Sequence, residues 1–126
     1  MKEKLTAKQS NRLFELGVKT NFASGIEMVE KCDAGCRTVP VFTLADLFDL
    51  LPKEIKVEVL DVGYEIKVTA YLHISLYNGN SLASYHFVFD EKEWSTHHVE
   101  GSELVDTLYE LVIWCIESGH LKTQQI

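Results

Sequence analysis

The segment that most constrains the fold is residues 102–119, SELVDTLYELVIWCIESG. At about 100° per residue, its apolar side chains cover roughly 200° of a helix surface, whereas an ordinary surface helix has an apolar stripe of about 100°. These side chains are Leu104, Val105, Leu108, Tyr109, Leu111, Val112, Ile113, Cys115 and Ile116. The segment therefore predicts a helix that is covered on most of its circumference, with Ser102 as its N-terminal cap and Gly119 as its stop.

Trp114 departs from this pattern, because it lies in the polar arc of the same helix, near Glu110 and Glu117. A tryptophan surrounded by polar groups is typical of an interface anchor. Three arrangements are open: cover by residues 18–42 of the same chain, cover by a second copy or another partner, and simple exposure. In the first two cases Trp114→Glu is expected to lower stability or abolish association.

A β-hairpin is the second strong pattern. Apolar and polar residues alternate from Tyr64 to Tyr77, Asn78-Gly79 favours a two-residue turn, and a further strand covers residues 82–89. A two-residue loop brings only apolar residues together on one face, whereas a slip of one residue would oppose apolar to polar positions. The predicted pairs are Ile74 with Ala83, Leu72 with Tyr85, Ala70 with Phe87 and Val68 with Phe89.

The remaining elements are predicted from caps and short periodic runs. A helix over residues 5–18 has a capping box at Thr6 and Gln9 and a stop at Gly17, and a short helix over residues 43–51 begins at Thr43. Residues 55–59 alternate as a strand, and residues 94–99 are a candidate edge strand. Residues 18–42 have weak periodicity and are expected to be a loop with short extended pieces, or a segment ordered by docking.

These elements predict an α+β fold. We expect a three- to four-stranded antiparallel meander sheet, with the C-terminal helix and the short helix of residues 43–51 packed on one face, plus an N-terminal helix. The length of 126 residues fits one domain, residues 1–126, divided into an N-terminal part, 1–42, and an α+β core, 43–126.

Composition predicts a cytoplasmic protein. Of the residues, 46% are hydrophobic and 25% are charged, as in ordinary globular domains. The sequence has no apolar run long enough for a membrane span and no apolar signal-peptide segment in MKEKLTAKQSNR. Three cysteines, an odd number, fit a reducing compartment.

Charge is distributed unevenly. Residues 1–20 contain five basic and two acidic groups, whereas residues 90–117 contain eight acidic groups and one lysine. An acidic half disfavours nucleic acid and anionic membranes as partners. It permits a basic partner, although a solubilising surface explains the same charges.

The candidate metal and catalytic residues are few. Cys32 and Cys36 lack the second pair that structural zinc sites usually have, and the adjacent His97 and His98 point to opposite faces of a strand. Cys115 lies on the apolar arc, as a core residue would. The sequence has no recognised catalytic motif, so we expect neither catalytic residues nor a metal or another cofactor.

Tyr71, His73 and His86 form a candidate interaction surface on the outer face of the sheet. The predicted register makes Tyr71 a direct neighbour of His86 and places His73 beside Ser84. Aromatic sheet faces bind single-stranded RNA in some modules, but those modules add a cluster of basic residues and a recognisable signature, and we find neither beside these three side chains. The alternatives are a protein-docking patch and a merely solvated sheet face.

Three segments together resemble a group of small proteins of gut Bacteroides-type bacteria. They are LTAKQSNRLFELGV, FTLADLFDLLPKEI and SELVDTLYELVIWCIESGHLK, in this order. Proteins of this group are often carried in prophage-like or mobile regions and have no assigned activity. The resemblance implies a bacterial, cytoplasmic accessory protein of a mobile element, and it brings no functional residues with it.

The sequence leads to three hypotheses about function. The first is a non-enzymatic protein-interaction module, with a second copy as one candidate partner, that uses Trp114, Glu110 and Glu117 on the helix and the outer sheet face. The second is an acidic inhibitor of a basic nuclease or DNA-binding protein, which requires its carboxylates on one contiguous face. The third is a small-ligand-binding protein or an enzyme, which requires a concave, polar-lined pocket between sheet and helix.

Overall fold

The structure is a computed structural model in which residues 3–18, 25–32, 35–61 and 63–121 are described. The helices are α1 (Ala7–Glu15), α2 (Leu44–Leu50) and α3 (Leu104–Glu117). The strands are β1 (Gly25–Cys32), β2 (Gly35–Val41), β3 (Glu54–Asp61), β4 (Tyr64–Tyr77), β5 (Asn80–Phe89) and β6 (Lys92–Gly101). Strands β3, β4, β5 and β6 form a four-stranded antiparallel meander, which confirms the predicted α+β fold.

The β4–β5 hairpin has the predicted turn and, from the Tyr71–His86 pair to the turn, the predicted register, whereas the predicted pairs of Ala70 with Phe87 and Val68 with Phe89 lie beyond the paired part of the two strands. Asn78 and Gly79 have φ values of 47° and 77°, as a type I′ turn requires. Ile74 pairs with Ala83 and Leu72 with Tyr85, so the apolar residues near the turn share one face as expected. Strand β6 confirms the candidate edge strand and is longer than predicted.

Helix α1 begins and ends as its local sequence dictates. The Thr6 hydroxyl accepts from the Gln9 amide at 3.1 Å, and the Gln9 side chain accepts from the Thr6 amide at 3.0 Å, which completes the capping box. At the other end Gly17 has a φ of 98°, and Val18 donates its amide to the Leu13 carbonyl. The predicted start at residue 5 is wrong, because Leu5 precedes the cap residue Thr6 and its amide donates to the Phe42 carbonyl.

Helix α2 has the predicted cap. The Thr43 amide donates to the Asp46 carboxylate at 2.8 Å, and the Asp46 amide donates to the Thr43 hydroxyl at 3.3 Å. The helix ends before Pro52, which has no amide hydrogen with which to continue it. α2 contacts α3, as expected for two helices on one face of the sheet.

Two expectations about the elements are corrected. Glu103, not Ser102, is the N-cap of α3, and it makes no side-chain capping hydrogen bond. Residues 18–42, expected to be a loop with short extended pieces or a segment ordered by docking, contain the antiparallel pair β1–β2, which the weak alternation of this sequence does not predict. The rest of that segment, residues 19–24 and 33–34, lies outside the described residues.

The core lies between α3 and the inner face of the sheet. Leu108, Leu111, Val112 and Cys115 of α3 are fully buried, as are Ala83 and Tyr85 of β5. Cys115 is therefore the core residue that was predicted. The phenol of Tyr85 extends across this interface and donates to the Pro52 carbonyl at 2.8 Å, which ties the centre of the sheet to the segment after α2.

Candidate functional site

Two groups of side chains stand out on opposite faces of the sheet. The inner cluster consists of Tyr85, His97, Trp114 and His120, and the outer patch consists of Tyr71, His73, His86 and Glu93. The predicted surface residues are therefore divided between the two groups. Trp114 lies on the inner side of the sheet, whereas Tyr71, His73 and His86 lie on the outer face.

Trp114 is partly buried within its own chain rather than lying bare on the helix. Its ring is stacked on His97 with a centroid distance of 4.5 Å and an interplanar angle of 5°. Tyr85 and His120 approach it at 6.2 Å and 5.1 Å. Simple exposure, one of the three arrangements considered, is thereby excluded. The described cover comes from β5, β6 and the end of α3, whereas the side chains of residues 19–40 lie outside the described part, so cover by residues 18–42 stays a prediction.

A β-bulge explains how His97 reaches the tryptophan. Ala83 pairs with Val99, whereas Tyr85 pairs with Thr96, so that one residue of β5 faces two residues of β6, His97 and His98. His97 has a φ of 45°, a left-handed conformation that histidine adopts more readily than most residues. The extra residue turns the His97 ring toward α3.

The C-terminal end of α3 places His120 on the other side of the cluster. Gly119 has a φ of 81°, and the His120 amide donates to the Cys115 carbonyl at 2.8 Å, which closes the helix in a Schellman motif. In this motif the residue after the glycine folds back toward the last turn of the helix. Gly119 was predicted as the stop, and the contact between His120 and Trp114 follows from it.

The environment of these side chains changes their proton affinities. Burial lowers the pKa of His97, and the negative charge of Glu110 partly opposes this shift. Burial raises the pKa of the Cys115 thiol to about 11, although its contact with the Tyr85 hydroxyl at 3.6 Å acts in the opposite direction. Cys115 is therefore a neutral thiol at pH 7, without the thiolate character of a nucleophile.

The outer patch is built by the predicted register. Tyr71 pairs with His86 and His73 with Ser84, and the rings of His73 and His86 stack with centroids 4.2 Å apart. His86 Nδ1 lies 3.0 Å from a carboxylate oxygen of Glu93 on β6. Tyr71 is 58% exposed, so it is the large apolar group that this patch offers to solvent.

The acidic residues of the second half of the chain lie in two layers. Glu93 and Glu100 are on the outer face of β6, where they contact His86 and Tyr77. Glu103, Asp106, Glu110 and Glu117 belong to α3 or its N-cap, on the other side of the sheet. The carboxylates thus do not share one contiguous face.

A shallow cavity of about 270 Å³ lies at the surface of the described residues. It lies beside the β4–β5 turn and the start of α3, with Leu76, Tyr77, Ser81 and Leu104 in its lining. The Ser81 hydroxyl already donates to the Gly101 carbonyl and contacts the Thr107 hydroxyl. The cavity is at one end of the sheet rather than between sheet and helix.

In the described ranges no group of three or more histidine, cysteine, aspartate or glutamate side chains is arranged to hold a metal ion. Cys32 and Cys36 lie in β1 and β2, and their side chains are not among those described. None of the helices described has the length and hydropathy needed to cross a membrane.

Comparison of the chain with protein-family models, curated proteins and solved structures finds no match. The resemblance to proteins of Bacteroides-type bacteria therefore stays a prediction.

The two tryptophans test the role of Trp114 in the fold. We expect Trp114→Glu to lower the free energy of unfolding by about 3 kcal/mol or more, because it places a charge beside the core and removes the stacked ring. Trp94→Glu is the control, since Trp94 is 49% exposed, and it is expected to cost less than about 1 kcal/mol. Urea denaturation measures both, and equal losses would contradict this account.

The lowered pKa of His97 predicts a pH dependence of stability. The unfolded chain binds the His97 proton more tightly than the folded chain, so the stability contribution is complete above about pH 6.5 and is lost as the pH falls below it. We expect His97→Asn, which does not titrate and tolerates a positive φ, to lose less stability than wild type between pH 7 and pH 5. Parallel losses in urea denaturation at the two pH values would contradict this expectation.

Proposed function

We propose that the protein is a non-enzymatic interaction module that binds another protein through the outer face of its sheet. The observation that carries this proposal is the exposed Tyr71 beside the stacked pair His73 and His86, on the face opposite α3. Aromatic groups surrounded by polar residues are typical of the centre of protein interfaces. Tyr71 is the expected anchor, because its side chain loses little conformational entropy when it is covered.

The charge around the anchor indicates the chemistry of the partner. Alternation along the paired strands places five glutamates and two lysines on this outer face: Glu54, Glu58, Glu65, Glu93 and Glu100, with Lys56 and Lys67. The surface is therefore acidic at neutral pH, with an apolar centre. It fits a protein surface that presents an apolar pocket with arginine or lysine at the rim.

The other hypotheses have less support. An acidic inhibitor that imitates a phosphate array needs its carboxylates on one face, whereas those of residues 90–117 are divided between β6 and α3. A ligand-binding site between sheet and helix is opposed by the fully buried Tyr85, Leu108 and Leu111 at that interface. We assign Trp114 to the stability of the fold rather than to the binding surface, because its ring is in contact with His97 and His120.

The resemblance supplies the biological setting of the proposal. It suggests a bacterial, cytoplasmic accessory protein encoded on a mobile element. Such a protein would act by occupying a surface of another protein rather than by converting a substrate.

Two tyrosines of β4 provide a matched test. Tyr71 and Tyr64 lie in the same strand but on opposite faces, and both are largely exposed, at 58% and 74%. We expect a photo-crosslinking residue at position 71 to capture a specific protein in the cells that naturally produce this chain, while the same residue at position 64 does not. The Tyr71→Glu variant should lose that partner, and Tyr64→Glu should retain it.

The proposal would be overturned by either of two results. In the first, the partner crosslinks equally through both positions, which would remove the outer face as the binding surface. In the second, the partner remains bound to Tyr71→Glu with unchanged affinity in a pull-down of the purified proteins.

A further inference from the structure

The two edges of the sheet differ in their readiness to pair with another strand. β6, at one edge, contains the bulge at His97 and His98, and bulges are a common device that prevents edge-to-edge pairing. β3, at the other edge, pairs with β4 without interruption from Glu54 with Tyr71 to Asp61 with Tyr64. Among the described elements, β4 is the strand that pairs with β3. Within the part of the chain that the structure describes, β3 is thus a regular, open edge of eight residues.

The hydrogen-bonding groups of β3 that point away from β4 can be identified. In an antiparallel ladder, alternate residues direct their amide and carbonyl groups to the same neighbour. The Leu72 amide donates to the Lys53 carbonyl at 2.9 Å, so the odd-numbered residues of this strand bond to β4. Glu54, Lys56 and Glu58 therefore direct their amides and carbonyls to the open edge.

The sequence of this edge is complementary to itself. If a second β3 approaches antiparallel with Val57 opposite Val57, Lys56 lies opposite Glu58 of the other copy, and the same pair occurs again across the twofold axis. Both pairs involve residues whose backbone groups point to the open edge, so charges and backbone hydrogen bonds are satisfied together in this register. On the inner face, Ile55 lies opposite Val59, an apolar pair. Centring the pair on Ile55 would also oppose Glu54 to Lys56, but only residues 54–56 of the two strands would then overlap, whereas centring it on Val57 overlaps residues 54–60.

The neighbouring twofold registers are less favourable. Centring the pair on residue 56 opposes two lysines and brings Glu54 against Glu58, whereas centring it on residue 58 opposes two glutamates. Like charges directly opposite each other destabilise a strand pair. An exposed lysine on an edge strand normally discourages pairing. In the register centred on Val57, however, Lys56 of each copy lies opposite Glu58 of the other.

We propose that two copies of this chain pair through the open edges of β3, with Lys56 of each copy opposite Glu58 of the other. The two sheets then form one continuous sheet, and the outer patches of both copies lie on the same side of it. This inference goes beyond the proposed function, because the dimer does not require another protein. A partner-binding protein with two such patches would bind a partner more tightly if that partner is itself dimeric.

Charge-reversal variants test the register directly. In Lys56→Glu, both cross-strand pairs become glutamate opposite glutamate, and in Glu58→Lys they become lysine opposite lysine. We expect each single variant to raise the dimer dissociation constant by about tenfold or more, as measured by sedimentation equilibrium. The double variant Lys56→Glu/Glu58→Lys should dimerise about as well as wild type, because opposite charges again face each other.

Mixing the two single variants gives the sharpest result. A heterodimer of Lys56→Glu with Glu58→Lys restores opposite charges at both positions, so the mixture should contain dimers that neither variant forms alone at the same concentration. The matched control is Lys92→Glu, which makes the same charge change on the exposed end of β6 and should leave dimerisation unchanged.

Three results would overturn the inference. Wild type that sediments as a monomer at all concentrations would exclude the dimer. A dimer that is unaffected by either charge reversal, or weakened equally by Lys92→Glu, would place the contact elsewhere. All these measurements use the purified chain alone. A negative result would therefore overturn the dimer without affecting the proposed binding of another protein, which the crosslinking experiment tests separately.

Discussion

The packing of α3 on the centre of the sheet is the contact on which the rest of the structure depends. α3 contacts β5, and Leu108, Leu111 and Val112 of the helix are fully buried in the same core as Ala83 and Tyr85 of the strand. Removal of such surfaces from water is the main source of stability in a domain of this size. The Tyr85 hydroxyl adds a directional hydrogen bond to this apolar interface, because it donates to the Pro52 carbonyl, and it also contacts the Cys115 thiol. Sheet, α2 and α3 thus share one interface.

Much of this fold is encoded in short stretches of sequence. The capping boxes at Thr6 and Thr43 and the Asn78-Gly79 turn are local, because the groups that bond are only three residues or fewer apart. The register of the hairpin follows from this turn together with the alternation of apolar residues. These features could therefore be predicted before any tertiary contact was known.

The inner cluster and the outer patch both depend on contacts between residues that are distant in the sequence. For this reason only the outer patch could be predicted. The outer patch followed from the register, which places Tyr71 beside His86. The stacking of His97 on Trp114 requires the bulge in β6, and nothing in the local sequence marks a bulge at two adjacent histidines. The β1–β2 pair escaped prediction because its strands do not alternate clearly.

The two faces of the sheet differ in what they contact. The inner face is largely committed to α3, whereas Tyr71 and the histidine pair on the outer face make no contribution to that core. Of the two edges, β6 is interrupted by its bulge and β3 is regular. The contacts proposed above therefore use the outer face and the β3 edge.

Native-state hydrogen exchange tests the central role of the α3–β5 interface most directly. If this interface is the common core, the amides of Leu111 and Val112 in α3 and of Ala83 and Tyr85 in β5 exchange with the same free energy, equal to that of global unfolding. If the free energy of opening is much smaller for the α3 amides than for the β5 amides, the helix detaches from the sheet before global unfolding. That result would contradict the account.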